Sequence, residues 1–457
     1  MAGVKVFSRP PRQLRRKQKW PPFPTVRLDH TVRVGMLGFG VVGSGTHVVL
    51  TENRNTLMAR AGSCIALTMV ATRTPARARA ALGPDVLLLD DPMQVVRHPD
   101  IDVVVEAMGG TGAARDCVLA AIAHGKHVVT ANKALLALHG EEIFAAARAQ
   151  GVAVAFEGAV AVSIPIVKAL REGLVANQIE WLAGIVNGTC NYVLTQMRDH
   201  GWGYAEALRE AQALGFAEAD PTLDVDGGDS AHKLALLAAM AFGGAPRFHD
   251  VHVQGIRTLQ ACDFAHAAQW GYAIKLLAVA RLDGDGLQLR VHPALVPADT
   301  LLARVDGSMN GILVKGNAAG VTFYYGAGAG SRETASAVVA DLVDIARALH
   351  SGNCPVSVPA LGFHHDANAP SAMAPMAALR LRHYLRVPLA QTDAAEQVHK
   401  SLTAHGVVVA QQVQTTDTLV LLTEVIDEWR VLAAVEALAQ LAGLRGEPVR
   451  LRVEALD

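Results

Sequence analysis

Apolar positions along the chain recur at two periods, and the changes between them mark its elements. Alternation through TVRVGML predicts a strand from Thr31, and the run behind it, to Leu50, predicts a helix. CIALTMVATR predicts a second strand ending at Thr72-Arg73, and IDVVVEAMGG and KHVVTANKALLA predict two more. Between those two, TGAARDCVLAAIAHG is a helix that stops on Gly125. VAVAFEGAV leaves a strand at Glu157 for a turn of small residues before Pro165. QIEWLAGIV gives a strand, Asn187-Gly188-Thr189 a turn, and the residues after it a helix carrying Asn191 and Tyr192.

Helical spacing returns in YAEALREAQAL, where Ala207, Leu208, Ala211 and Leu214 share a face and Gly215 is a C-cap. A further helix starts near Gly228 and continues its apolar side through Leu236, Leu237 and Met240. RLDGDGLQLRVHPALV reads as a hairpin, and the strands around GILVKGNAAGVTFYYGAGAG suggest an open sheet. A helix over about 333–349 could pack back on the first strands. The tail alternates LRLRHYLRV, a helix from Asp393 to His405, GVVVAQQVQ, DTLVLLTEV, a helix from Glu428 to Ala442, and PVRLRVE. That βαββαβ order is ferredoxin-like.

Strands alternating with helices through right-handed crossovers make a parallel sheet. The chain therefore reads as α/β with five parts. A basic arm spans 1–30, and a Rossmann dinucleotide-binding domain spans 31–155, with the helix at 333–350 packed back on it. An α+β domain with an open sheet spans 156–332, a linker rich in Pro, Gly, Asn and Ser spans 351–375, and the ferredoxin-like domain spans 376–457.

Composition narrows the function classes. The formal net charge is -1, so no global field recruits nucleic acid or membrane. No apolar run reaches the roughly 18 residues of a spanning helix; LALLAAMAFGGA is the nearest. Cys64, Cys117, Cys190, Cys262 and Cys354 are scattered and lack CxxC spacing, which points to reduced thiols in a cytoplasmic protein. The arm carries Lys5, Arg9, Arg12, Arg15, Arg16, Lys17, Lys19 and Arg27 against Asp29 alone. Its prolines rule out a continuous helix, and it reads as a disordered tail or an upstream start, with nucleic-acid binding the lesser reading. His364-His365-Asp366, like His249 with His252, lacks metal-site spacing and reads as loop histidine.

Two stretches carry candidate chemistry. The first is Gly38-Phe39-Gly40-Val41-Val42-Gly43, a GxGxxG that follows a strand and opens a helix. Gly38 makes the tight turn, Gly40 lets backbone approach a pyrophosphate, and Gly43 allows close helix–strand packing. The helix N-terminus beyond it supplies free N–H groups to phosphates. Where an NAD site would place a carboxylate, the chain offers Arg73, with Arg77 and Arg79, which suits a 2′-phosphate; a solvated basic loop is the competing reading. Gly109 and Lys133 fall at strand C-terminal ends, where such sheets bind ligands.

The second stretch, GFAEADPTLDVDGGDSAHKLALLA, crowds Glu218, Asp220, Asp224, Asp226 and Asp229 ahead of Lys233. Asp229 sits in a first helical turn, where the dipole favours an anion, and shares a face with Lys233 four residues on. A lysine at the edge of a buried surface among carboxylates suits proton transfer or polar-substrate binding. The competing reading is a solvated helix entrance with one ordinary salt bridge.

GFGVVG, TANK, GIVNGTCNYVL, EADPTLDVDGGDSAHKLA and GAGAG…TASAVVADLVDIAR, in this order over about 32–349, resemble the homoserine dehydrogenase family. The tail is similar to the ACT domain that many members append. The resemblance implies reversible NADP- or NAD-dependent interconversion of L-homoserine and L-aspartate 4-semialdehyde, within threonine and methionine biosynthesis. It makes 156–332 the catalytic and dimerisation domain of a homodimer or homotetramer. Lys233 matches the acid/base lysine and Asp229 its partner. Lys133 matches a lysine between nicotinamide and substrate. Glu218 matches the carboxylate for the substrate ammonium, with Asp224, Gly188, Thr189 and Tyr192 in the substrate wall. Gly215 and Gly328 would line the cofactor cleft with the Gly38–Gly43 turn. Glu157 with the carbonyls of Val160, Val162 and Ile164 matches a site for a monovalent cation, Na or K.

Three departures from the family pattern stand out. GAVAVSIP carries Val162-Ser163 where two glycines are common, and the added side chains could hinder convergence of the carbonyls. Glu333 replaces a proline usual before Thr334. LRVPLAQTDAAEQV lacks the Pro-Gly-Val-Leu turn that frames an amino-acid effector site, which puts feedback by threonine in doubt. Another nicotinamide-dependent amino-acid dehydrogenase, or an idle sensor built on the ACT-like domain, remains the alternative.

Overall fold

A computed structural model describes residues 31–284, 286–352, 358–364, 372–391, 394–441 and 443–456. The basic arm, residues 353–357 and 365–371 of the expected linker, Cys354, His365, Asp366, the expected helix start at Asp393 and the expected helix end at Ala442 lie outside the described residues.

The first sheet is parallel, with strands β1 (Thr31–Leu37), β2 (Cys64–Ala71), β3 (Leu87–Leu89), β4 (Val103–Glu106), β5 (His127–Thr130) and β6 (Val154–Ala155). Their order is β3-β2-β1-β4-β5-β6. β4 and β5 are buried at every residue, as continuous apolar runs flanked by helices must be. The order reverses between β1 and β4, and the crevice at that switch point lies beside the Gly38–Gly43 turn. β3 escaped the sequence reading because three leucines carry no usable period. The helix after β1 is two helices, Val41–Glu52 and Arg54–Ala61, broken at Asn53. The helix Ser331–His350 closes the face of this sheet, burying Val338, Val339, Leu342 and Val343 in one core with Val34, Met36 and Phe39.

The second sheet is mixed and contains ten strands among the described residues. Its first part comprises β7 (Ile179–Ile185), β8 (His252–Val253), β9 (Tyr272–Asp283), β10 (Gly286–Pro297), β11 (Met309–Gly316) and β12 (Gly320–Ala327). β9 and β10 form the expected hairpin. In the tail, β13 (Arg380–Leu381) breaks from β14 (His383–Pro388), and β15 (Val409–Gln414), β16 (Thr418–Thr423), β17 (Ile426–Asp427) and β18 (Val449–Val453) follow. The helices Ala394–Ala404 and Glu428–Ala439 complete a βαββαβ unit of strand order β18-β14-β16-β15, while β13 pairs with β17.

This unit continues the second sheet. β18 pairs in parallel with β10, Ala294 opposite Arg452 and Leu295 opposite Val453. The seam is charged as well as hydrogen-bonded. Across it Glu454 accepts from Arg290 at 2.8 and 2.9 Å, and within the tail unit Glu428 lies between Arg450 and Arg452 at 2.5 and 2.6 Å. Separating the buried Arg290–Glu454 pair leaves uncompensated charges, so the seam is costly to open. The end of the expected linker is also fastened, since the Leu287 amide donates to Ala372 and the Ala374 amide donates to Leu287. No helix among the described residues is long and apolar enough to cross a membrane.

Candidate active site

The three glycines of the first turn differ as their roles require. Gly38 has φ +93°, and a Cβ there would fall 2.5 Å from the Ala107 carbonyl oxygen; one at Gly43 would collide with Gly38 itself. At Gly40 a Cβ would meet nothing within 4 Å. Two glycines are thus fixed by protein packing, and the third faces space, which fits a pyrophosphate at the start of the helix Val41–Glu52. Phe39 is buried beneath the turn, and Val41 is exposed. Arg73 stands two residues beyond β2, exposed together with Arg77 and Arg79. Gly109, with φ +72°, turns the chain after β4. Glu106 fixes that turn by accepting from the amides of Met108 (2.8 Å) and Gly109 (3.1 Å) and from Thr130 Oγ1 (2.7 Å). Sequence reading passed over Glu106, though a carboxylate ending an apolar strand was a usable signal.

The acidic stretch converges with Lys133. Lys133 opens the helix Lys133–Gln150, which Asn132 caps by accepting from the Leu135 amide. Asp229, in the first turn of the helix Gly228–Phe242, lies between two ammonium groups. Its Oδ1 is 3.0 Å from Lys133 Nζ, and its Oδ2 is 2.7 Å from Lys233 Nζ. Lys233 Nζ also donates to the Val186 carbonyl at 2.6 Å. The side chains of Lys233 and Asp229 are 9% and 6% exposed, so this is no solvated helix entrance.

Burial alone would raise the Asp229 pKa, but Lys233 and Lys133 outweigh it and hold the carboxyl well below the usual range. Lys133 is opposed by burial, yet Asp229, then Asp224 and Glu218, raise its pKa and keep it charged. Asp224 is pushed up by burial and by the charge of Asp229, against the hydrogen bond from Asn187.

Asn187 joins these groups. Its Nδ2 donates to Asp224 Oδ1 (2.6 Å) and Asp229 Oδ2 (2.8 Å), while its Oδ1 caps the helix Gly188–His200 through the Cys190 amide. In the sequence it marks only a turn, because nothing local tells which carboxylates an asparagine will meet. The side chains of Thr189 and Tyr192 brace the neighbouring loop. Thr189 Oγ1 donates to the Phe216 carbonyl (2.6 Å), and the Tyr192 ring lies 4.6 Å from that of Phe216. Together they fix the loop that begins at Gly215, φ +77°, and carries the exposed Glu218. Gly328 lies across the sheet, against Asn310.

Glu157 is buried, and its carboxylate accepts from the amides of Val167 and Lys168, 3.0 Å each. The Ile164 carbonyl accepts from the Ile166 amide at 2.7 Å, and Ala161, with φ +52°, carries the left-handed turn between Val160 and Val162. Asp341 Oδ2 accepts from the Glu157 amide, and burial, then the Glu157 charge, push Asp341 up to about 7. Among the described residues, no group of three or more His, Cys, Asp or Glu is arranged to hold a metal ion.

Comparison with known proteins bears on this geometry. Residues 165–343 match the family model described as homoserine dehydrogenase, and residues 38–157 match that of the homoserine dehydrogenase NAD binding domain. The chain is similar to the homoserine dehydrogenase of Pseudomonas aeruginosa, 47% identical over 93% of this chain and 99% of that one. The Neisseria gonorrhoeae homoserine dehydrogenase is 43% identical over the same shares. Among solved structures, a homoserine dehydrogenase from Thiobacillus denitrificans superposes with a TM-score of 0.88 at 48% identity, covering 93% of this chain and 98% of that one.

Proposed function

The chain belongs to the homoserine dehydrogenase family, NAD(P)-dependent oxidoreductases acting on the CH–OH group of homoserine, and from that premise we propose how its residues divide the reaction. The observation that carries the proposal is the buried series Lys133–Asp229–Lys233. Glu218 receives the ammonium of the amino-acid substrate, and the amides of Gly188 and Thr189, at a helix N-terminus, receive its carboxylate. Lys233 has three donors and commits two to Asp229 and Val186, leaving one for the substrate oxygen. In the reducing direction it gives a proton to that oxygen, and in the oxidising direction it takes one. Asp229 holds both lysines in place, and Lys133 stays charged beside the reacting carbon. The bound nicotinamide supplies or accepts the hydride, held through the Gly38–Gly43 turn and the glycines at 109, 215 and 328.

A monovalent cation, Na or K, suits the excess of buried negative charge at Glu157 and Asp341. The carbonyls of Val160, Val162 and Ile164 would hold it, and its part would be to order that loop. The test of the whole assignment is nicotinamide absorbance during oxidation of L-homoserine by the full chain with each cofactor. Reduction of the cofactor is expected, and its absence would contradict the assignment.

Arg73 is assigned to the 2′-phosphate, so NADP(H) should serve at least as well as NAD(H). Arg73→Ala should weaken NADP(H) about tenfold, one lost charge-assisted contact, and NAD(H) far less. Equal effects in titrations with both cofactors would take Arg73 out of the phosphate site.

The ACT-like unit is assigned to structure and assembly of a homodimer or homotetramer, not to amino-acid sensing. An effector carboxylate needs free N–H groups in a tight turn. Here the Leu389 amide donates to Asp417 (2.7 Å) and the Ala390 amide to Gly443 (2.8 Å), and the segment 388–391 contains no glycine. Millimolar-range threonine should leave turnover unchanged and release no heat on titration. Strong inhibition would restore the sensor.

A further inference from the structure

β11 begins between the two halves of the site. On one side Ser308 lies against the substrate turn, where a Cβ at Gly188 would fall 2.6 Å from the Ser308 carbonyl oxygen. Asn191 Nδ2 spans the same place, donating to the carbonyls of Val305 and Met309, 3.1 Å each. On the other side Asn310 pairs with Gly326, and its amide presses on Gly328 so closely that no Cβ fits there.

The loop Gly326-Ala327-Gly328-Ala329-Gly330 is anchored at both ends. Ser163 Oγ donates to the Ala327 carbonyl at 2.7 Å, and Ser331 Oγ donates to the Val41 carbonyl, in the dinucleotide turn, at 2.9 Å. Ser163, a departure from the family pattern, thereby gains a structural use. Asn310 is fully buried, and neither its Oδ1 nor its Nδ2 has a partner among the described residues. Asn191 Oδ1 is in the same condition. Buried amides are nearly always satisfied, and an unsatisfied one is unfavourable, so an apolar residue would suit this strand position better if packing were the only demand.

We propose that Asn310 is a positioning residue that ties the Gly326–Gly330 loop to the substrate turn when the nicotinamide dinucleotide is bound. As the loop tightens, Asn310 Oδ1 accepts a loop N–H, and Nδ2 donates to a loop carbonyl or to Asn191 Oδ1. Only a side chain that both donates and accepts does this, which explains an amide in an apolar strand. The inference rests on the reading that this loop lines the cofactor cleft.

The test uses the full chain with Asn310→Leu, close in size and without polar atoms. Thermal melts are recorded without and with NADP, and NADP affinity is titrated. The melting temperature of the protein alone should hold or rise, the increment on adding NADP should shrink, and the dissociation constant should rise about tenfold. An unchanged increment with unchanged affinity overturns the proposal. If Asn310→Leu does not fold, Asn310→Ala gives the same cofactor readings. Gly328→Ala separates the two levels: weakened NADP binding there, with none at Asn310, sinks the Asn310 inference alone. No effect in either removes the loop from the cleft as well.

Discussion

Lys233→Ala is expected to lose about 10²- to 10⁴-fold in turnover while binding the dinucleotide almost normally. The reasoning is geometric. Lys233 Nζ is held by Asp229 Oδ2 and the Val186 carbonyl in a buried position, and the turn that fits the pyrophosphate is on another sheet. Removing the ammonium leaves Asp229 with Lys133 at 3.0 Å and Asn187 at 2.8 Å, so the anion keeps two partners and the fold should hold. Steady-state rates beside a cofactor titration check this. Near-normal turnover in a folded variant would reduce Lys233 to a structural ion pair.

Asp229→Ala should be worse for stability than Lys233→Ala, and comparably damaging to rate. It strips the counter-ion from two lysines at once and takes one of two carboxylate acceptors from Asn187 Nδ2. Removing one member of a buried charge group costs about 3–5 kcal/mol, and denaturant melts at neutral pH would read that loss. The pH dependence follows from the shifts. Asp229 has its folded pKa depressed, so its stabilisation is present above the ordinary carboxylate range and lost as pH falls through and below it. Lys133 has its folded pKa raised, so its stabilisation is present below the ordinary lysine range and lost as pH rises through the folded value. Asp229→Ala should flatten the acid limb of the stability profile. An unchanged acid limb and an unchanged midpoint would show that the carboxylate is not the hub of the group.

Much of this site could be read from local sequence because its signals are local. Glycines at Gly38, Gly40 and Gly43 act within one turn, and Asp229 and Lys233 share a helix face by spacing alone. What stayed hidden depends on contacts between distant segments. Lys133 meets Asp229 only after the two sheets come together, and Asn187 bridges Asp224 and Asp229 only once its turn faces theirs. The side chains of Thr189 and Tyr192 likewise meet the loop at Phe216, a contact their own motif does not announce.

The same division holds for the fold. Apolar alternation gave the tail its strands and helices within a few residues, but nothing in PVRLRVE announces that β18 joins β10. A strand's own pattern says which face is buried, not which edge it will pair with. Asn310 is the extreme case, a polar residue in an apolar run whose meaning appears only beside Gly328.

The claim that Lys233 moves the proton while hydride passes is tested most directly by a single turnover. Excess full-length protein, loaded with NADP, is mixed rapidly with L-homoserine, and the nicotinamide absorbance is followed for the native chain and for Lys233→Ala. The account predicts that the first-turnover step slows in the variant by the same factor as its steady-state turnover, with cofactor binding intact. A first turnover as fast as the native one would place the defect after the chemistry and contradict the account.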